Sequence, residues 1–61
     1  MSTNLYLKLV YFNGDLTLIH STSEAAAERL WLKIDACTHE VREASIIKLT
    51  SNTYELVRTL A

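Results

Sequence analysis

The stretch "LVYFNGDLTLIH", Leu9 to His20, decides how this chain folds. Branched and aromatic residues flank Asn13-Gly14, and Asn-Gly between two apolar runs is the strongest short-range signal for a β-hairpin. A two-residue turn at Asn13-Gly14 predicts that Tyr11 lies opposite Leu16. Both faces of such a hairpin carry large apolar side chains, so one face needs a cover from outside the sheet.

This register divides the hairpin into two faces. Face A is almost wholly apolar, and face B mixes apolar with polar side chains. Face A holds Leu5, Leu7, Leu9, Tyr11, Leu16, Leu18 and His20. Face B holds Tyr6, Lys8, Val10, Phe12, Asp15, Thr17, Ile19 and Ser21. Because side chains alternate along a strand, a slip of one residue in the register would exchange the faces.

The next segment, "HSTSEAAAERLWLKIDACT", predicts a helix over about residues 23–37. Ser21, Thr22 and Ser23 are all good N-cap residues, and Ser21 with Glu24 fits a capping box. Alanines favour the helix. Helical spacing predicts one apolar stripe that consists of Ala27, Leu30, Trp31, Ile34 and Cys37. Leu32 falls on the outer side.

A second hairpin is expected around Ser51-Asn52, between "ASIIKLT" and "TYELVRTL". A two-residue turn there predicts the pairs Leu49–Tyr54, Lys48–Glu55, Ile47–Leu56 and Ile46–Val57. The alternative is a helix from Thr53 onward, because Tyr54, Val57 and Leu60 also suit helical spacing. The opposite charges of Lys48 and Glu55, together with the β-branched residues, favour strands.

These elements predict a single α+β domain over residues 1–61, a two-layer ββαββ fold with one helix packed on a four-stranded antiparallel sheet. A right-handed crossover gives the strand order 2-1-3-4. The helix is expected on face A, above Leu7, Leu9, Leu18, Ile47 and Leu56. The other side of the sheet is expected to show Tyr6, Val10, Phe12, Ile19, Ile46 and Val57, among the polar residues Lys8, Lys48, Thr17, Thr50 and Glu55.

A chain of 61 residues is small for a stable core, and the usual additional stabilisers are missing from its sequence. A lone cysteine excludes an internal disulfide and suits a reducing compartment. Potential metal ligands are sparse, and we expect no cofactor. Association with another protein, or with a second copy, is the remaining means of stabilisation. With no leader pattern and no long apolar run, we expect a cytoplasmic location away from membranes.

Catalytic and metal-binding patterns are weak. Cys37 and His39 have the spacing of a fragment of a metal site or of a nucleophile–base pair, but the further groups that either site needs are lacking. Gly14 stands alone, so no glycine-rich phosphate loop is present. The sequence therefore predicts a protein that is not an enzyme.

The doubly apolar sheet predicts a small protein-binding module that docks on another protein and sterically blocks or modulates it. It would also form a homodimer, through face B or through the edge of strand 2. A free-standing chain of this size suggests an accessory protein of a phage or other mobile element that inhibits a host protein. The expected partner-binding residues are Tyr6, Lys8, Val10, Phe12 and Ile19, with a minor site at Trp31 and Leu32.

Two alternative functions are also compatible with the sequence. One is binding of single-stranded nucleic acid on the aromatic rings of Tyr6 and Phe12. The net charge of −1 and the wide spacing of the six basic residues argue against it. The other is a structural subunit that assembles with copies of itself.

Overall fold

The computed structural model describes residues 4–37 and 39–61. Its elements are β1 (Asn4–Tyr11), β2 (Leu16–Ser21), α1 (Glu24–Cys37), β3 (Val41–Leu49) and β4 (Tyr54–Thr59). The four strands form one antiparallel sheet in the order β2-β1-β3-β4. The predicted ββαββ architecture is confirmed, and the C-terminal segment is a strand and not a helix.

The β1–β2 loop has three residues, so the predicted two-residue turn is wrong. The Tyr11 amide donates to the Asp15 carbonyl at 2.9 Å, and the Gly14 amide donates to the Tyr11 carbonyl at 3.0 Å. Gly14 has a φ of +95°, in the left-handed region that favours glycine. These features define a type I turn followed by a one-residue bulge at glycine, the usual form of a three-residue hairpin loop.

The longer loop shifts the register of β2 by one residue from the prediction. Leu18 pairs with Lys8 and not with Leu9, and Ile19 pairs with Leu7. Because successive side chains point to opposite faces, every side chain of β2 exchanges faces relative to β1. Leu16 and Leu18 therefore leave the predicted core, whereas Ile19 enters it.

Helix α1 covers the side of the sheet on which Leu7 and Leu9 lie. The buried core consists of Leu7, Leu9, Ala27, Trp31, Ala44 and Ile46, and Leu5, Tyr11, Ile19, Leu30, Ile34, Val41 and Leu60 pack against it. Ile46 faces the helix because it pairs with Leu7 across β1 and β3, whereas its neighbour Ile47 pairs with Tyr6. The predicted placement of Ile47 under the helix and of Ile46 on the other side is therefore wrong.

The N-terminus of α1 is capped by Ser23, whose hydroxyl accepts a hydrogen bond from the Ala26 amide at 3.1 Å. Ser21 is instead the buried last residue of β2, so the predicted capping box with Glu24 does not form. The stripe from Ala27 to Ile34 packs on the sheet as predicted. Cys37 is exposed, contrary to the prediction, because the helix continues past its last core contact at Ile34.

Strand β4 is an edge strand whose six residues are all exposed. Its pairs Leu49–Tyr54, Lys48–Glu55 and Ile47–Leu56 match the prediction. The register then shifts, so Ile46 lies opposite Arg58 and not opposite Val57 as predicted, and Val57 is the extra residue of a bulge. Arg58 forms an ion pair with Glu28 of α1, which places its side chain on the helix side.

Candidate protein-binding face

The surface of the sheet that faces away from α1 is called the open face. Because side chains alternate along each strand, it consists of the residues that pair across the strands between the positions whose side chains face the helix. β1 and β2 contribute Tyr6, Lys8, Val10, Leu16, Leu18 and His20. β3 and β4 contribute Glu43, Ser45, Ile47, Leu49, Tyr54, Leu56 and Thr59. The open face therefore draws side chains from all four strands.

Several large apolar side chains on the open face are more than 40% exposed. Leu16 is 54% exposed, Leu18 45%, Tyr54 61% and Leu56 59%. They surround Ile47, which is only 4% exposed. A groove of about 260 Å³ joins Leu16, Leu18 and Leu49 to Ile47, Tyr54 and Lys8. The apolar groups are therefore contiguous and span the sheet from β2 to β4.

Lys8 lies in the middle of this apolar surface. It pairs with Leu18 on one side and with Ser45 on the other. Its Nζ lies 5.9 Å from the centre of the Tyr54 ring, two strands away on β4. The side chains of Lys8 and Tyr54 therefore meet across β3, on the face where Ile47 is nearly buried.

A second groove, of about 480 Å³, lies beside the apolar one and is more polar. It is lined by Lys8, Arg42, Glu43, Ser45, Ile47, Tyr54, Leu56, Thr59 and Ala61. The two grooves share Lys8, Ile47 and Tyr54. The Lys8 ammonium group thus stands at the boundary between an apolar groove and one that also offers charges and hydroxyl groups.

Aromatic rings on the open face are partly occupied by neighbours from the same chain. The Tyr6 and His20 rings, paired across β1 and β2, meet edge to face with centres 5.4 Å apart and planes at 75°. The Tyr54 ring lies beneath the Lys8 ammonium group. Neither the Tyr6 ring nor the Tyr54 ring is therefore a free stacking surface.

The seven residues that the sequence suggested for partner binding do not form one surface. Tyr6, Lys8 and Val10 lie on the open face as expected, but Phe12 lies at the hairpin tip, 69% exposed. Ile19 packs against the core on the helix side. Trp31 is in the core at 7% exposure, and Leu32 is 59% exposed on the outer side of α1, so the two do not share a patch.

Sequence reasoning missed the main apolar groups of the open face, which are Leu16, Leu18, Ile47, Leu49, Tyr54 and Leu56. The missed signal is that Asn13-Gly14 also fits a three-residue loop with glycine at the left-handed position. A second ambiguity is the Ile46-Ile47 pair, because two adjacent isoleucines satisfy alternation in either phase. Only the pairing of β3 with β1 selects between them.

Residues 4–37 and 39–61 contain no group of three or more His, Cys, Asp or Glu side chains able to hold a metal ion. Cys37, an exposed free thiol, lies at the end of α1. In the same residues, no helix is long and apolar enough to cross a membrane.

Comparison of the chain with known protein families, with curated proteins and with solved structures finds no match. Its function is therefore inferred from its own surface.

Proposed function

We propose that this chain is a non-enzymatic protein-binding module that docks its open face on a second protein. It acts by occupying the surface of that protein, as an inhibitor or modulator, in the reducing environment of the cytoplasm. The observation that carries the proposal is the contiguous apolar surface of Leu16, Leu18, Tyr54 and Leu56 around Ile47. Contiguous exposed apolar patches on small proteins mark interaction sites.

The dimensions of the open face suit a small interface. Four strands at about 4.8 Å spacing and about 20–25 Å length cover roughly 400–500 Å². Together with an equal area on the partner, docking would bury about 800–1,000 Å², the size of weak or transient protein interfaces. Binding through this face would also remove from water the apolar groups that a small domain is least able to leave exposed.

Binding of single-stranded nucleic acid is less well supported. That mode requires free aromatic faces along a basic groove. The Tyr6 ring contacts His20, Phe12 lies at the hairpin tip, and the Tyr54 ring lies beneath Lys8. Protein is the occupant that fits the apolar groove better.

A homodimer through the edge of β2 is a second candidate, and it is compatible with the first. The two edge strands differ: β4 carries Glu55, Arg58 and a bulge, which are features that discourage pairing. β2 has the sequence "LTLIHS", with no lysine, proline or bulge. Pairing of two β2 strands would extend the sheet and leave both open faces free for another protein.

The test of the open face uses two leucines of equal exposure. Leu56 on the open face and Leu32 on the outer side of α1 are both 59% exposed. We expect Leu56→Asp to abolish capture of a target from an extract of the source cells, because it places a charge in the apolar surface. Leu32→Asp is the matched control and should retain the same target. Quantitative mass spectrometry of the captured proteins measures the difference.

Both variants should remain folded, because each leucine is already largely in water; circular dichroism checks this. If Leu32→Asp loses the target and Leu56→Asp retains it, the interface lies on the helix and not on the open face. If all three proteins capture the same set equally, neither surface is specific and the proposal fails.

A further inference from the structure

We infer that the occupant of the open face is an apolar segment of another protein that carries a carboxylate, which pairs with Lys8. This inference rests on the proposed function and specifies the chemistry of the partner. It follows from the position of one positive charge within an apolar surface, and from the groups that surround that charge.

Lys8 has no ion pair among the described residues; its recorded partner is the Tyr54 ring, 5.9 Å from Nζ. That distance is near the outer limit of about 6 Å for a cation–π contact. Lys8 is half-buried in the free protein and lines both grooves. A partner that covers the apolar groove would bury its ammonium group further, and a buried ammonium group without a counter-charge is strongly unfavourable. Since no carboxylate of the described residues forms an ion pair with Lys8, a carboxylate on the partner would offset this cost.

The surroundings of Lys8 add to its positive field. Among the side chains that line the more polar groove, Lys8 and Arg42 are basic and Glu43 is acidic, with the hydroxyl groups of Ser45 and Thr59 beside them. Basic side chains therefore outnumber acidic ones here by two to one, in a chain whose net charge is −1. An acidic group is complementary to this part of the molecule.

The two grooves together specify an arrangement on the partner. The groove of about 260 Å³ accepts apolar side chains among Leu16, Leu18 and Leu49. Lys8, Ile47 and Tyr54 line both grooves, so a carboxylate next to those apolar side chains would reach the ammonium group. The partner segment therefore presents aspartate or glutamate directly beside large apolar residues.

A second copy of the chain fits this surface poorly. In a symmetric dimer the same patch faces itself across a twofold axis. An axis through the centre of the apolar surface would bring the two Lys8 ammonium groups towards each other in an environment with little water. Repulsion between like charges opposes that arrangement, whereas a partner with a carboxylate has no such conflict.

The test is selection of peptides from a random displayed library on the immobilised full chain. We expect the wild-type protein to enrich peptides with aspartate or glutamate beside Leu, Ile, Phe or Trp. Lys8→Glu should instead enrich lysine or arginine at that position, because it reverses the charge. Lys33→Glu, on the exposed surface of α1, is the matched charge-reversal control and should enrich the wild-type set.

One enriched peptide then serves as the probe in a double-mutant cycle. Either Lys8→Gln or replacement of the peptide carboxylate by its amide should weaken binding by about thirtyfold or more. The two changes together should cost little more than either alone, because they remove the same pair. Circular dichroism shows that Lys8→Gln and Lys8→Glu remain folded.

The contrary outcomes are separable. Apolar peptides without acidic residues, or an unchanged selection with Lys8→Glu, would overturn the carboxylate inference and leave the proposed function standing. If the wild-type protein enriched no peptides beyond those that Leu56→Asp also enriches, the proposed function would fail as well.

Two other occupants of the open face are also tested. A face-to-face dimer in sedimentation, dissociated by Leu18→Asp, would assign the surface to a second copy. Binding of a single-stranded oligothymidylate that depends on Lys8 would assign it to nucleic acid. Either of these two results would overturn the inference.

Discussion

At the scale of single residues, Leu18 departs from the prediction, whereas its predicted partner Leu9 lies in the core as expected. A two-residue turn would make them partners in the core, but Leu9 is fully buried and Leu18 is 45% exposed on the open face. Their environments differ because one residue was added to the loop between their strands. The free energy of unfolding should therefore depend very differently on the two side chains.

We expect Leu9→Ala to lower the free energy of unfolding by about 2–5 kcal/mol, because it leaves a cavity among Leu7, Trp31 and Ile46. Leu18→Ala should lower it by less than about 1 kcal/mol, since a half-exposed side chain leaves no cavity. Urea denaturation of the two variants measures the difference. Equal losses would mean that both leucines are buried, as the two-residue turn requires.

At the scale of elements, β4 is held less firmly than the other strands. All six of its residues are exposed, and α1 reaches it through the Arg58–Glu28 ion pair, whose side chains are 47% and 45% exposed. An exposed ion pair of this kind contributes at most about 1 kcal/mol. The hydrogen bonds to β3 are therefore the main attachment of β4 to the domain.

We expect the backbone amides of β4 to exchange with deuterium much faster than those of the central strands, because β4 is an edge strand whose side chains are all exposed. Nuclear magnetic resonance on the uniformly labelled chain resolves the individual amides. The Leu7 and Leu9 amides of β1 provide the internal reference, since their side chains are in the core. Equal protection of β4 and β1 would contradict this and indicate that a further contact holds the edge.

The elements themselves were largely predictable, because each has a local signal in the sequence. The serine-capped alanine-rich segment indicates α1, and the Asn13-Gly14 and Ser51-Asn52 turns separate the strands. The open face was not predictable in detail. Asn-Gly suits two loop lengths, and Ile46-Ile47 fits either phase of a strand, so local sequence leaves the faces undetermined. Long-range pairing of β1 with β2 and β3 decides them.

At the scale of the whole molecule, the fold has only two layers, one sheet and one helix. Its shortest Cα extent is 15 Å, which accommodates a sheet and one helix layer and nothing on the other side. A domain of this size is stabilised by about 3–9 kcal/mol in total. A partner that binds the folded form therefore adds a substantial fraction to this stability by mass action.

The unprotected edge of β2 gives the whole-molecule prediction. We expect the molar mass from light scattering to rise with concentration from that of the monomer, 6.9 kDa, towards twice that value. Thr17→Lys should keep the chain monomeric, because a lysine within an edge strand opposes strand pairing. Thr22→Lys, in the connection before α1, is the control and should dimerise normally. A monomeric wild-type chain at every concentration would refute the dimer.

The three-residue loop at Phe12-Asn13-Gly14 has a consequence for how this gene tolerates change in length. Tyr11 and Asp15 close the loop, so in-frame loss of the Phe12 codon would leave Asn-Gly between the same closing pair, as an ordinary two-residue turn. Every pair between β1 and β2 would survive. Loss of a codon within β2, by contrast, would interchange the two faces over the rest of that strand. Among related sequences, insertions and deletions should therefore be frequent at the hairpin tip and rare within β2.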